Sequence, residues 1–303
     1  MKCLKFILPL ALIGILISPM IVGANFGVDI GDTFTYDCVT SELSISIGSK
    51  SASVTGYAVD GHDFAVGTSV VVEVLEFDDT FFNTTIYEVQ AGSYAENGSS
   101  STFGFVLSSI FMMFYPMLFI GGFVNETSFN QTEAEETPML FMLPFVEVDP
   151  ATWTGFANIA NELQTGTSLI VSQASNMTIA AEYSDSVSEF IFEMRITGNY
   201  NGNVTDGSSI LFVDYEVDHH FQFSYQKLTG VMNGMQLEGT LTGTSNSTAL
   251  SLEYHQKTEL EGYNLPNYEL GGGTFSFPGF GILGAVLAVG SLFAIAIIIR
   301  RRK

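Results

Sequence analysis

Ile210-Leu211-Phe212-Val213-Asp214-Tyr215-Glu216-Val217-Asp218-His219-His220-Phe221-Gln222-Phe223-Ser224-Tyr225-Gln226 is the stretch that decides the fold class. Leu211, Val213, Tyr215, Val217, Phe221, Phe223 and Tyr225 fall on alternate positions, opposite Asp214, Glu216, Asp218 and Gln222. A period of two belongs to an extended strand, whose side chains point to opposite faces in turn. One face is apolar and the other wet, the pattern of an antiparallel sheet that buries one side. His219 belongs to the apolar face and His220 to the polar one, so the pair cannot share a metal ion from this strand.

Neighbouring segments repeat the pattern. In 187–197, Phe190, Phe192, Met194 and Ile196 oppose Glu189, Glu193 and Arg195. Lys227-Leu228-Thr229-Gly230 reads as a turn into a further strand, and 248–258 adds another. Residues 27–95 are rich in β-branched and aromatic residues with turn signals such as Asp60-Gly61, so they read as a set of strands. The middle differs. Apolar stretches at 103–124 and 138–147 flank an acidic loop, and a helix follows, with Asp149 as its cap and Pro150 in its first turn. Trp153, Phe156, Ala160 and Leu163 recur along it at helical spacing before Gly166.

The expected fold is therefore mainly β (α+β). A single antiparallel, curved sheet has its apolar face covered by a central apolar and helical insert at 103–165. The expected order is a signal peptide at 1–24, an extracellular β-rich domain at 25–260, a Gly-containing tether at 261–277 and a transmembrane anchor at 278–303.

The anchor reading rests on Phe280 to Ile299, an apolar run of twenty residues followed by Arg300-Arg301-Arg302-Lys303. Such a helix spans about 30 Å, the hydrocarbon thickness of a bilayer. The terminal cations stay cytoplasmic, which places the preceding domain outside. At the other end Lys2 and Lys5 precede an apolar stretch, and Val22-Gly23-Ala24 fits a signal-peptidase site; an uncleaved N-terminal anchor is the alternative. Residues 103–124 are apolar enough to mimic a second span. A second span would carry Arg300 to Lys303 outside, so this segment is expected to be buried in the exported domain.

Between the leader and the anchor the only cations are Lys50, Arg195, Lys227 and Lys257, against all 32 carboxylates of the chain. That surface repels nucleic acid and anionic headgroups. It fits a soluble exterior face or loose collection of divalent cations. Cys38 is the one cysteine in this region, so no intrachain disulfide can form there. It reads as a small core residue, with a thiol that cross-links two copies as the alternative. Asn83, Asn97, Asn125, Asn130, Asn176, Asn203 and Asn246 each begin an Asn-x-Ser/Thr triplet, and these seven glycosylation acceptors exceed chance expectation.

Candidate chemistry is sparse. Asp60-Gly61-His62-Asp63 with Glu76, Asp78 and Asp79 could gather oxygens for Ca²⁺, or be a solvated turn. Asn201-Gly202-Asn203-Val204-Thr205-Asp206-Gly207 begins like a calcium loop but has Asp206 where the glycine should be, and reads as a hairpin loop carrying a glycan. The chain has no Gly-x-Ser-x-Gly, Gly-x-Gly-x-x-Gly or His-Glu-x-x-His motif. No catalytic activity, cofactor or metal is expected. The insert is the better lead. Phe111, Met112, Met113, Met117, Phe119, Met139 and Met142 could form an adaptable lining for an apolar, lipid-like ligand against the sheet, or simply pack as core. Two readings stay open: a surface-anchored binding or structural protein of the cell envelope, and a carrier of an apolar ligand.

Pro278-Gly279-Phe280, then an apolar helix, then a basic cluster, resembles the PGF-type C-terminal sorting signal of archaeal surface proteins. That resemblance implies cutting near the tripeptide by an archaeosortase-type enzyme and replacement of the helix by a lipid anchor; a retained single-pass helix is the other outcome. Val28-Asp29-Ile30-Gly31-Asp32-Thr33-Phe34-Thr35-Tyr36, with the strand–insert–Trp153 helix–strand order, resembles archaeal ectodomains of the choice-of-anchor type. In layout alone the chain is also similar to periplasmic lipoprotein carriers.

Overall fold

The computed structural model of the protein describes residues 26–79, 83–113, 126–127, 129–134, 142–165, 177–206 and 209–267. The expected leader (1–24), the anchor (278–303) with Pro278, Gly279 and Phe280, and most of the tether lie outside these residues. So do Asn125, Asn176, Met117, Phe119 and Met139. Among the described residues no helix is long and apolar enough to cross a membrane.

The protein is mainly β. Strands β1 (Thr33–Ile47), β2 (Lys50–Thr55), β5 (Ser69–Asp78), β6 (Thr84–Ala91) and β7 (Tyr94–Ser100) precede the insert. β8 (Met177–Asp185), β9 (Glu189–Asp206), β10 (Ser209–Gln226), β11 (Met232–Ser245) and β12 (Thr248–Leu260) follow it. All ten join one antiparallel sheet in the order β7-β6-β5-β1-β12-β11-β10-β9-β8, with β2 beside the second half of β1. β3 (Tyr57–Val59) and β4 (His62–Phe64) form a separate small hairpin. Its Asp60-Gly61 turn has φ of 49° and 71°, the left-handed pair that tight hairpins require.

The long β10 is what its alternation predicts. Val213, Tyr215, Val217, Phe221, Phe223 and Tyr225 are buried on one face, aligned across β9 with Gly202, Tyr200, Gly198, Met194, Phe192 and Phe190. β1 breaks its own alternation. Tyr36 and Cys38 are buried at even positions, then Leu43, Ile45 and Ile47 at odd ones, because a bulge between Cys38 and Thr40 shifts the register. One extra residue turns the strand's faces over.

Residues 201–206 correct the hairpin-loop expectation. They continue β9 to its end, with Asn201 opposite Asp214 and Asn203 opposite Phe212. Asn-Gly-Asn reads locally as a turn, but eighteen paired residues of β10 supply a partner for every backbone group on that edge.

The insert holds helices α1 (Thr102–Met113), α2 (Gln131–Ala134) and α3 (Pro150–Thr165). Ser101 caps α1, its Oγ accepting from the Gly104 amide at 3.0 Å. Asp149 caps α3, its Oδ1 accepting from the Ala151 amide at 2.7 Å behind Pro150. The insert leaves the sheet at β7, one end of the strand order, and re-enters at β8, the other end, so it must cross the sheet. Phe105 of α1 packs at 4.6 Å from Phe223 and 4.9 Å from Phe156 of α3, whose Trp153 meets Phe190 at 5.9 Å. Glu126 accepts from the Ser49 amide and hydroxyl at the β1–β2 turn, at 2.9 and 2.6 Å. Residues 142–146 then run as a strap beside the β10–β11 turn. Leu143 O accepts from Tyr225 Oη, Pro144 O from the Met232 amide and Phe145 O from Ser100 Oγ. Gly230 must be glycine there, since its φ is +69° and a Cβ would lie 2.0 Å from Val146 O.

Candidate functional site

The apolar face between the sheet and the insert holds the side chains that the sequence singled out as a ligand lining. Met142 is buried in the core and Met112 packs partly buried against it. Phe111 and Met113 belong to α1, but their side chains, with Met117, Phe119 and Met139, lie outside what is described. Phe105, Phe145, Trp153, Phe156 and Leu163 are buried against the same face. The described part of the cover therefore lays the protein's own rings on this face.

Beyond the Phe105 cluster this face becomes more polar. His219 is fully buried, and Tyr254 Oη lies 2.5 Å from its Nδ1. His219 pairs in register with Gly239 and Gly239 with Tyr254, so the tyrosine reaches two strands over through the space a side chain would fill. A Cβ on Gly239 would meet Tyr254 Oη at 2.5 Å and Asp218 O at 2.6 Å. Burial pushes the imidazole down to about 3, against a smaller opposing pull from the Met112 and Glu238 backbones, so the ring is neutral near pH 7. Tyr215 Oη and Ser245 Oγ on this face are buried without a formed hydrogen bond.

The opposite face is charged. Arg195, His220, Glu238, His255 and Glu42 form one row across five strands in register. Arg195 grips Asp218 with two bonds of 3.0 and 2.8 Å, which holds the aspartate's pKa down. Glu238 sits between the other two, 3.6 Å from His220 Nδ1 and 3.6 Å from His255 Nε2. Among the described residues no group of three His, Cys, Asp or Glu is arranged to hold a metal ion. The Asp60-Gly61-His62-Asp63 segment is the β3–β4 turn, with His62 stacked on Tyr94 at 3.5 Å and the Asp60 amide bound to Glu96.

Comparison with protein-family models gives no match, and comparison with curated proteins gives none.

Two features of this surface have no clear local signal in the sequence. At the start of β9, Glu189 Oε1 accepts from Ser224 Oγ at 2.7 Å, from Asn233 Nδ2 at 2.9 Å and from Tyr263 Oη. The Leu265 amide donates to Glu259 Oε1 at 2.7 Å and Leu265 is buried. Residues 261–267, expected to begin a flexible tether, are docked on the sheet instead. The only hint was an aromatic and a leucine in an otherwise tether-like run.

The expected glycan acceptors divide. Asn97, Asn130, Asn203 and Asn246 are exposed. Asn83 is half-buried and its Nδ2 donates to Glu147 Oε1 at 2.6 Å, so a sugar there would displace a hydrogen bond to a buried carboxylate. Cys38 is fully buried, and desolvation pushes its thiol up to about 11, which keeps it an unreactive core residue in the fold.

Proposed function

We propose that the protein is a surface-anchored, glycosylated binding or structural protein of the cell envelope, working outside the membrane and without catalysis. The observation that carries this reading is the packing of the described part of the insert, from Phe105 and Phe156 to Phe145, on the apolar face. The surface left for partners is the carboxylate-rich opposite face and its rim, where described sequons are exposed. Protease added to intact cells should then degrade the folded domain and spare a tag placed after Lys303. A protected domain overturns the topology on which the reading stands.

A second reading, a carrier of an apolar ligand, has one observation in its favour. Tyr215 Oη and Ser245 Oγ lack formed hydrogen bonds on the covered face. Leaving such groups unsatisfied costs about 1–3 kcal/mol each, and the polar end of an otherwise apolar ligand could relieve that. Native mass spectrometry separates the readings: lipid co-purifying at near one per protein supports the carrier, and an empty protein supports the first.

A further inference from the structure

The charged face of the sheet carries an exposed apolar pair near the end of β9 and the start of β10. Ile210 is 70% exposed and Phe212 46% exposed, on the face that farther along β10 presents Asp214, Glu216, Asp218 and His220. Phe212 is in register with Asn203, and Ile210 with Thr205. Asn203 and Thr205 are the two residues that define one sequon. Asn203 is exposed and directly opposite Phe212, and Ile210, two residues from Phe212 in an extended strand, shares the face of Phe212.

Resting on the extracellular reading above, we propose that Asn203 is an occupied glycosylation site whose first sugar packs on Phe212 and Ile210. Directly opposed residues in an antiparallel pair have Cβ atoms about 4.5–5.5 Å apart, within reach of a sugar linked to the asparagine amide. A pyranose ring presents a face of C–H bonds that fits an aromatic ring and an aliphatic side chain, while its hydroxyls stay in water. The platform is held before the sugar arrives. Asn246 Oδ1 accepts from the Phe212 amide at 2.8 Å, and the Asn246 amide donates to Phe212 O at 2.7 Å. A pre-organised partner loses less entropy on contact.

Three of the other four described acceptors fit such a role less well. Asn83 is bound to Glu147, Asn97 faces Glu88 across its ladder, and Asn246 uses its side chain to hold the platform. Attachment joins Asn203 Nδ2 to the anomeric carbon of a lipid-pyrophosphate-linked oligosaccharide. The bond from that carbon to the pyrophosphate oxygen breaks, the pyrophosphate leaves with the electron pair, and the amide proton passes to base.

Glycopeptide mass spectrometry of the full chain from its native membrane tests occupancy. Thermal melts of wild type, Asn203→Gln, Phe212→Thr and the double variant then test packing. We expect Asn203 to be occupied, and Phe212→Thr to lower Tm by about 2–4 °C with the sugar present and by much less without it. Enzymatic removal of the sugar from folded wild type should give a similar drop with no substitution at all. A bare Asn203 beside occupied Asn97, Asn130 or Asn246 overturns the proposal and leaves the extracellular reading standing. Seven bare sequons overturn both, and equal losses from Phe212→Thr in both backgrounds overturn the packing.

Discussion

Tyr254 Oη meets His219 Nδ1 at 2.5 Å across the bare backbone of Gly239, so three consecutive strands are joined by one side-chain contact on the covered face. The glycine is the condition for the contact. Glycine in a strand interior often marks such a close approach.

Gly239→Ala should therefore destabilise the fold by about 1–3 kcal/mol, the usual cost of overpacking. The new methyl would push on Tyr254 Oη and on the Asp218 carbonyl, and the latter is backbone that cannot rotate away. Urea denaturation checks this. An unchanged midpoint would mean that the strands shift apart freely, against the register described.

His219 makes stability depend on pH in a defined direction. Its folded-state pKa is depressed from 6.5 to about 3 by burial. The unfolded chain takes up the proton first as pH falls, so this contribution is complete above pH 6.5 and is lost progressively towards pH 3. The slope approaches about 1.4 kcal/mol per pH unit inside that window. His219→Gln, which keeps a partner for Tyr254 Oη, should flatten the stability difference between pH 7 and pH 5. Equal slopes in both proteins would show that other groups set the acid sensitivity.

Removing the Glu189 carboxylate leaves Ser224 and Asn233 buried with one acceptor fewer and leaves Tyr263 Oη with only its 3.2 Å bond to Ser224 Oγ. Glu189→Ala should cost about 2–4 kcal/mol. It should also raise amide exchange at 263–265 well above wild type. Exchange there that is already fast in wild type would contradict the docking.

Cys38 should resist iodoacetamide at pH 8 in the folded protein and react once denaturant is added. Its pKa near 11 leaves little thiolate, and its side chain is fully buried. Alkylation of the folded protein at the rate of a free thiol would require the β1 edge to open.

What the sequence disclosed and what it hid have a common cause. β10 was legible from Leu211 to Tyr225 because alternation is a local property, and α3 was legible from Asp149, Pro150 and the Trp153–Leu163 stripe for the same reason. The bulge after Cys38 escaped, since no residue there announces the extra position. Asn201-Gly202-Asn203 has a turn-like composition that is outweighed by pairing with β10, which sequence spacing does not reveal. The Glu189 cluster joins residues 35, 44 and 74 positions apart. Such contacts exist only after folding, and no window of sequence contains them. The candidate ligand lining was readable as a composition, but its arrangement against the sheet was not.

The strand order also fixes a sequence of events in time. Among the described strands β1 is the first made, yet its long edge is matched by β12, the last of them, from Tyr36 with Leu260 to Ile47 with Leu250. Neither of the two halves flanking the insert can complete the sheet until this seam joins residues more than 200 positions apart. Contacts of such separation form slowly, because the loop they close is costly before they repay it. A growing chain must therefore hold the apolar face of β1 incomplete until nearly all of the domain has emerged, and that interval is when the protein is most exposed to misassembly.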